Sequence, residues 1–360
     1  MIYLDNQAST RVDPSVLEAM LPYFDEKYGN SASRTHKYGW DAEEAVEEAR
    51  EKVAKLINAE PHEIIFTSGA TEANNTIIRS YSNEHIIISN IEHSSVHEPS
   101  ILFTQTASAF INSTGSVNLE FYNYLLLKNP KLISIMMVNN EIGTIQPIKE
   151  IRQKDPSIPF HSDITQAVGK IKVDVKDLDI EYASFSSHKI YGPKGAGALY
   201  VKQGSKIFPL LYGGAHERGL RSGTLNVPAI VGFGKACEII DLNNEHIKNC
   251  VSVLNNELKL IPGVNIHNFP NKVDHNLHFS VPCENMDLFI SKLSENVAVS
   301  FGSACMSLEN KPSRVLKASG FYDEEIKKSI RVSIGKFNTE EEMVLAAGFI
   351  KEAISFAEGG

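Results

Sequence analysis

Short apolar runs alternate with longer amphipathic stretches over the first two thirds of the chain. This alternation is typical of βαβ units and predicts a mainly parallel sheet covered by helices. Residues 38–57 carry their apolar side chains at helical spacing. Residues 93–131 are only weakly patterned and are expected to form a crossover. The predicted strands are 63–66, 85–89, 132–138, 159–162, 182–185 and 197–201.

The pattern changes towards the C-terminal third. One long helix is predicted over about 227–260, followed by strands at 276–281, 297–301 and 329–335, with a helix at 287–295 between the first two. A capping box that starts at Thr339 opens a final helix. The chain therefore predicts a large α/β domain to about residue 245 and a smaller α+β domain after it.

Composition places the 360-residue chain among ordinary soluble globular proteins, with 42% hydrophobic and 22% charged residues. The net charge of −9 argues against nucleic acid or an anionic membrane surface as the main partner. The longest apolar run, 132–138, is far too short to span a bilayer. We expect neither nucleic acid nor membrane as a partner.

Four scattered cysteines, without a CxxC pair, predict a reduced, cytoplasmic protein rather than a disulfide framework. Cys237, Cys250 and Cys283 lie in patterns typical of packing thiols. Cys305 differs, because it follows a glycine, a serine and an alanine in SFGSACMS. Packing is the usual role of a cysteine, and a reactive thiol on a loop is the alternative.

The stretch FTSGATEANN, 66–75, follows a predicted strand and runs into a helical pattern. A glycine turn that leads into a helix N-terminus is suited to bind an anion, here with the hydroxyls of Ser68 and Thr71. Simple helix capping by the same hydroxyls is the alternative.

Two further strand ends carry candidate chemistry. Asp163 ends an apolar strand, at the sheet edge where ligands bind in open α/β folds. Lys189 follows Ser186 and His188 in SSHK, where a sheltered lysine could attach a carbonyl cofactor covalently. A turn carboxylate and an exposed loop lysine are the competing interpretations.

His93 and His97 are spaced i, i+4, which could supply half of a metal site. No third ligand follows at a suitable spacing, so we expect no intrinsic metal. Contact between His93 and a planar ring is the functional alternative to a surface position.

Several motifs together resemble the cysteine desulfurases of the NifS/IscS type, in the class V aminotransferase superfamily of enzymes that use pyridoxal 5′-phosphate (PLP). The resemblance runs nearly end to end. It rests on YLDNQAST, FTSGATEANN, IEHSSV, VNNEIGTIQPI, DITQAVGKI, SSHKIYGPKGAGALYV, GGAHERGLRSGTLNVPAIVGFGKA, SFGSACMS and SIRVSIGKFNTEEE.

The resemblance implies PLP fold type I: a large domain (15–245) with a mainly parallel seven-stranded sheet between helices, and a small α+β domain (246–360 with 1–14) that carries the cysteine loop. It implies that Lys189 holds PLP covalently and that Asp163 pairs with the ring nitrogen. The implied cofactor-binding residues are Ala70, Thr71, Asn139, Asp163, Gln166, Ser186, His188, Lys189 and Thr224, the last from the partner subunit of a homodimer.

The implied reaction converts L-cysteine to L-alanine, with Lys189, His93 and Cys305 as catalytic residues and Arg331 and Asn139 as substrate-binding residues. Sulfur would leave as a Cys305 persulfide for an acceptor such as an iron–sulfur scaffold or a tRNA-thiolation carrier. A transient contact of Cys305 with an iron–sulfur cluster is the only metal contact implied. Phe301 and Arg314 depart from the family pattern, which leaves the acceptor open.

Three alternatives stay open at this point. They are a selenocysteine lyase, a small-amino-acid aminotransferase and a non-catalytic protein that keeps the fold. The thiol of Cys305 argues against an aminotransferase, which has no use for it.

Overall fold

The computed structural model describes residues 1–302 and 312–359. In chain order the strands are β1 (Ile2–Tyr3), β2 (Ile64–Thr67), β3 (His85–Ser89), β4 (Gln105–Ala109), β5 (Leu132–Ser134), β6 (Phe160–Asp163), β7 (Tyr182–Ser186), β8 (Gly197–Val201), β9 (Asn265–His267), β10 (Asn276–Ser280), β11 (Val297–Ala298), β12 (Ser300–Phe301) and β13 (Ser329–Ser333). The helices are α1 (Pro14–Met20), α2 (Lys37–Leu56), α3 (Ala70–Ser80), α4 (Ser94–Phe103), α5 (Leu119–Leu126), α6 (Ile148–Arg152), α7 (Val175–Leu178), α8 (Val227–Glu238), α9 (Glu245–Lys259), α10 (Met286–Leu293), α11 (Arg314–Ala318), α12 (Asp323–Lys327) and α13 (Glu340–Ala357).

The central sheet has seven strands in the order β2-β8-β7-β6-β5-β3-β4, which confirms the predicted fold class. Strands β4, β3, β5, β6 and β7 run parallel, and β8 is antiparallel to both of its neighbours. Strand β2 therefore points in the same direction as β7. As a result, the carboxyl ends of β2, β3, β6 and β7 all lie at one edge of the sheet, where ligands bind in such folds.

Three predicted elements differ from the structure. Strand β4 lies in the segment predicted as a crossover, and its sequence, QTASA, lacks the apolar run by which the other strands were predicted. The predicted strand 132–138 is regular only over Leu132–Ser134. The predicted helix 227–260 is two helices, because the intervening Asp241 and Asn243 side chains accept hydrogen bonds from nearby backbone amides.

Helices cover both faces of the central sheet. On one face α2 and α8 pack on the sheet through residues such as Ala49, Phe66 and Phe233. On the other face α3 and α4 pack around Ile77 and Val96.

A second, separate core lies under the four-stranded sheet β12-β13-β10-β9 and is covered by α9, α10 and α13. Cys250 and Cys283 are buried in it, and Cys237 is buried in the main core, which confirms that these three thiols are packing residues. The domain boundary at residue 245 stays a prediction.

The N-terminal segment connects the two cores. Strand β1 pairs with β11 beside the second core. The chain then crosses to the main sheet, where the amide of Thr10 donates to the carbonyl of His188 at 2.9 Å. The polar segment 5–10 is thereby placed beside the carboxyl edge of the large sheet.

Phe301 has a structural role. It lies opposite Ile330 in the β12–β13 pair and packs against the second core. The next residue, Gly302, must be glycine, because a Cβ there would come within 2.7 Å of the carbonyl oxygen of Ile326. The carbonyl of Gly302 accepts from the amide of Ser313 at 3.0 Å, which holds together the two ends of the segment that contains Cys305. Cys305 itself lies outside the described residues.

Among residues 1–302 and 312–359, no helix has the length and apolarity needed to cross a membrane.

A buried ion pair attaches the loop before α8 to the sheet. Both terminal nitrogens of Arg50, on α2, donate to the carboxylate of Glu217 at 2.8 Å, and the side chains are 4% and 1% exposed. The amide of Phe66 donates to the same carboxylate at 2.7 Å. Because all three groups are buried, each depends on the others for its hydrogen bonds.

Replacing Glu217 by alanine is expected to lower the free energy of unfolding by about 3–5 kcal/mol, because it removes the buried carboxylate that both terminal nitrogens of Arg50 and the amide of Phe66 bond. Glu47→Ala is the matched control. Glu47 bonds the same arginine from a position that is 56% exposed, so its loss should cost about 0–1 kcal/mol. Urea unfolding followed by circular dichroism measures both. Equal losses for the two variants would contradict this assignment.

Candidate active site

A cavity of about 380 Å³ lies at the carboxyl edge of the large sheet, beside the N-terminal segment. Its walls bring together residues that are up to 324 positions apart in the chain, from Gln7 to Arg331. Nine of the residues predicted from sequence line it: Ala70, Thr71, His93, Asp163, Gln166, Ser186, His188, Lys189 and Arg331.

Lys189 follows β7 and points its amine at the N-terminal segment. Nζ donates to the carbonyl oxygens of Gln7 at 2.6 Å and Ala8 at 2.8 Å. Burial, followed by the positive charge of Arg331, lowers the pKa of Lys189 to about 8. At pH 7 about a tenth of this amine is therefore neutral, and so nucleophilic.

Asp163 ends β6 and is held by its neighbours. One carboxylate oxygen accepts from Nδ2 of Asn74 on α3 at 2.8 Å, and the other from the amide of Thr165 at 2.9 Å. The carboxylate is nearly fully buried at the cavity wall. It can therefore hold a cationic ring nitrogen in place.

The same Asn74 amide begins a chain of hydrogen bonds to His93. Nδ2 of Asn74 also donates to the hydroxyl of Ser95 at 2.8 Å, and that hydroxyl lies 2.8 Å from Nδ1 of His93. The amide of Ser95 donates to the same Nδ1 at 3.1 Å. Burial lowers the pKa of His93, so the ring is neutral, with its proton on Nε2.

Gln166 lies three residues beyond Asp163 and contacts both neighbouring segments. Its Nε2 donates to the carbonyl of Gln7 at 2.9 Å. Its Oε1 accepts from Nζ of Lys170 at 2.9 Å. The carbonyl of Gln7 therefore receives bonds from both Lys189 and Gln166.

The anion site predicted at FTSGATEANN lies at the start of α3. Gly69 is the N-cap and supplies no side chain to cap the helix, and the amide of Ala70 donates to the hydroxyl of Ser186 at 2.7 Å. Strand β8 passes so close that a Cβ on Gly197 would lie 2.5 Å from the Cα of Gly69. His188 is on the same wall, and burial and then Lys189 lower its pKa to about 4.

Arg331 reaches the cavity from β13 of the second sheet. Its terminal nitrogens donate to the carbonyl of Asn140 at 2.7 Å, to Asp5 at 2.6 Å and to Ser300 at 2.6 Å. Its Nε is buried and, among the described residues, has no hydrogen-bond partner. A donor in that position is suited to bind a carboxylate that enters the cavity.

Arg314 supports the turn that carries His93. It begins α11, directly after the segment outside the described residues, and donates to the carbonyl of Glu92 at 2.7 Å. The side chain of Glu92 is buried, which raises its pKa to about 8, and it accepts from the amide of Met136 at 2.8 Å. The turn at Glu92 and His93 is therefore held in place by strand β3, which it follows, by the loop at Met136 and by α11.

Two predicted site residues lie outside the cavity, and a third, Cys305, is outside the described residues. Asn139 is fully buried, and its side chain bonds the carbonyl of Ile91 and the amides of Glu141 and Ile142. The cavity is lined by Asn140 instead. Thr224 is exposed and outside the lining residues of this chain, so its contact from a partner subunit stays a prediction.

Sequence reasoning missed residues that hold the predicted ones in place. They are Asp5, Gln7, Asn74, Ser95 and Lys170. All five lie within motifs that carry the family resemblance, so their motifs were visible. The roles of these five residues could not be predicted, because their hydrogen-bond partners are distant in sequence or are decided by the direction of a side chain.

Comparison with known proteins places this geometry in a family. The family model described as aminotransferase class V matches residues 2–345. The "Cysteine desulfurase IscS" of Rickettsia africae (strain ESF-5) is 46% identical, over 97% of this chain and 90% of that protein. The chain belongs to the cysteine desulfurases of the class V aminotransferase family.

Solved structures support this classification. One titled "NIFS-like protein" matches with a TM-score of 0.91 and 38% identity, covering 99% of both chains. Another, titled "SspA in complex with cysteine", matches with a TM-score of 0.82 and 34% identity, over 93% of this chain and 99% of that one. Members of the family depend on PLP, and this cysteine desulfurase is a PLP-dependent enzyme.

The cavity of this cysteine desulfurase fits PLP. The uncapped start of α3, with Ser186 and His188, suits a phosphate group. Asp163 suits a protonated ring nitrogen, and Lys189 presents an amine of lowered pKa for covalent attachment.

Among the described residues, no three His, Cys, Asp or Glu side chains are close enough to hold a metal ion. His97 does not form a joint site with His93: its Nδ1 lies 3.0 Å from Oε1 of Glu98.

Covalent attachment of PLP to the apoprotein is expected to accelerate with rising pH, with a midpoint near 8, because only the neutral Lys189 amine reacts. Stopped-flow absorbance after mixing apoprotein with PLP measures the rate. Free Nα-acetyllysine is the control, with a midpoint near the ordinary lysine pKa of ~10.4. Arg331→Gln should move the protein's midpoint upward, because it removes a charge that lowers this pKa. A midpoint shared with the free lysine would contradict the prediction.

Proposed function

We propose that the protein converts L-cysteine to L-alanine and transfers the sulfur, as a persulfide on Cys305, to acceptor proteins. The observation that carries this proposal is the cavity itself. In it the lysine for the cofactor, a carboxylate for the ring nitrogen and an arginine from the second sheet all converge. The relatives named cysteine desulfurase support the choice of substrate.

The chain's own residues divide the work of the reaction. Arg331 receives the carboxylate of L-cysteine through Nε and its terminal nitrogens. Bound PLP supplies an electron sink that stabilises negative charge at Cα of the substrate. Lys189, neutral for part of the time because its pKa is about 8, removes the Cα proton. Nε2–H of His93 faces the cavity as a hydrogen-bond donor to the bound groups.

Cys305 completes the reaction as the sulfur nucleophile. Its thiolate attacks the sulfur of the substrate; the new S–S bond forms as the C–S bond to Cβ breaks, and protonation of the carbon framework gives L-alanine. An ordinary thiol of pKa ~8.5 is only a few per cent ionised at neutral pH. A base must therefore take its proton, and we propose His93 for that role through its other neutral tautomer, in which Nδ1–H donates to the hydroxyl of Ser95 and Nε2 is free to accept.

We further propose a homodimer in which Thr224 contacts the phosphate of the partner subunit's cofactor, and a cytoplasmic location. The exposed position of Thr224 outside its own cavity supports the first, and three buried free thiols agree with the second. The proposed acceptors are an iron–sulfur scaffold or a tRNA-thiolation carrier. They follow from the spacing between Cys305 and Pro312, which is similar to that of the long-loop group.

Cys305→Ser is expected to abolish persulfide and sulfide formation and to leave PLP bound, because the serine cannot accept sulfur and the cofactor contacts are elsewhere. Alanine release, sulfide release and the absorbance of the bound cofactor are measured together. Cys250→Ala is the matched control and should keep full turnover, since Cys250 is buried in the second core. Continued sulfide release by Cys305→Ser, or pyruvate in place of alanine as the product, would reject the proposal.

Arg331→Gln is expected to raise KM for L-cysteine by about 10–100-fold, the loss that follows removal of a charge-assisted hydrogen bond to a carboxylate. Lys317→Gln is the control, because Lys317 is a surface cation paired with Asp323 at 3.4 Å. Steady-state kinetics with cysteine checks both variants. An unchanged KM for Arg331→Gln would show that the carboxylate binds elsewhere.

Acceptor transfer is tested with ³⁵S-cysteine and a purified iron–sulfur scaffold protein. We expect label on the scaffold that depends on Cys305 and is released by a thiol reductant. Label that reaches the scaffold equally with Cys305→Ser would contradict transfer through this residue.

A further inference from the structure

A second cavity, of about 240 Å³, shares Lys189 with the cofactor cavity. It lies where the connection from α8 to α9 meets the second sheet, and it is lined from both sides of that junction. Its volume has room for several water molecules or one small organic molecule, since a water occupies about 30 Å³ in the liquid. Nothing in the proposed reaction uses it.

One part of its wall is cationic and incompletely bonded. Lys170 lines the cavity, and within the described ranges its amine has one hydrogen bond, to Gln166, and no carboxylate partner. An ammonium has three donors, so two remain available. Burial and then Lys189 lower the pKa of Lys170 to about 7, as expected of a cation without a counter-ion.

The second polar group is a buried histidine. His275 is 5% exposed, and its Nε2 has no hydrogen-bond partner among the described residues. Burial lowers its pKa well below the usual value, and Lys170, Lys272 and Arg331 add to that effect. The ring is therefore neutral, in a positive field, with a nitrogen that can donate to an anion. A buried polar atom without a partner is costly, which points to a ligand group there.

The apolar part of the wall is aliphatic, whereas its other polar residues include Asp241, Asn243 and His246. Ile190, Ile239, Ile240, Ile247 and Ile334 line the cavity. A third lysine on the wall, Lys336, is already neutralised by Asp13 at 2.5 Å. An inorganic anion would leave the isoleucines in contact with water. A carboxylate with a short alkyl chain satisfies both parts of the wall.

We propose that this second cavity binds short aliphatic carboxylates, with Lys170 and His275 holding the carboxylate and the isoleucines holding the alkyl chain. A ligand bound there affects the cofactor site through the Lys170–Gln166 hydrogen bond and through Lys189, which lines both cavities. The cavity is thus an effector site for the enzyme. The inference does not depend on the reaction proposed above, because binding is measured directly.

The test uses the holoenzyme and 3-methylbutanoate as the probe, titrated by calorimetry at constant ionic strength. Lys170→Met is expected to weaken binding by at least about tenfold, the effect of losing a charge-assisted hydrogen bond. Lys172→Met is the matched control, because it removes the same charge from an exposed position two residues away, outside the cavity. Its affinity should equal that of the wild type.

Two further measurements separate this site from the cofactor cavity and from misfolding. Arg331→Gln should keep the affinity for 3-methylbutanoate, and 3-methylbutanamide should bind the wild-type enzyme at least about tenfold more weakly than the acid. The second comparison needs no variant. Loss of binding in Arg331→Gln, equal binding of acid and amide, undiminished binding by Lys170→Met, or no binding to the wild type would each overturn the proposal. A change in cofactor absorbance on saturation, absent in Lys170→Met, is the expected sign of coupling.

Discussion

Two partly buried cations, Lys189 and Arg331, face one cavity, and the rest of the site is arranged around the need to stabilise them. The N-terminal segment meets this need, with the carbonyls of Gln7 and Ala8 on Lys189 and the carboxylate of Asp5 on Arg331. Without those oxygens, two like charges would lie in a poorly solvated space with too few acceptors to stabilise them. The segment therefore joins the lysine of the large sheet to the arginine of the second sheet.

Two connected groups of hydrogen bonds position most of the polar side chains of the cavity. Asn74 joins Asp163 to Ser95 and through it to His93, so the carboxylate and the imidazole are positioned by one amide. The carbonyl of Gln7 joins Lys189 to Gln166, and Gln166 continues to Lys170 at the second cavity. A change at Lys170 therefore reaches the cofactor lysine through three hydrogen bonds, which is the physical basis of the coupling proposed for that cavity.

Some secondary-structure elements were predicted correctly from the sequence, and others were not. The six predicted strands of the central sheet are present, and most of them were marked by the apolar runs typical of buried strands, although 132–138 is regular only at its start. Strand β4 was missed because its sequence, QTASA, has no such run. The joined helix over 227–260 was wrong because Asp241 and Asn243 interrupt it through bonds that spacing alone does not reveal.

By itself, the sequence determined the α/β class, the residues at the strand ends and, through its motifs, the cysteine desulfurase family. It did so because strand periodicity and strand-end chemistry are local, and motifs are read in order. Only the tertiary structure decided which residues meet: that Asn140 and not Asn139 lines the cavity, that Gln7 bonds Lys189, and that Lys170 and His275 line a second cavity. These outcomes depend on side-chain directions and on contacts between segments more than a hundred residues apart, which no local pattern encodes.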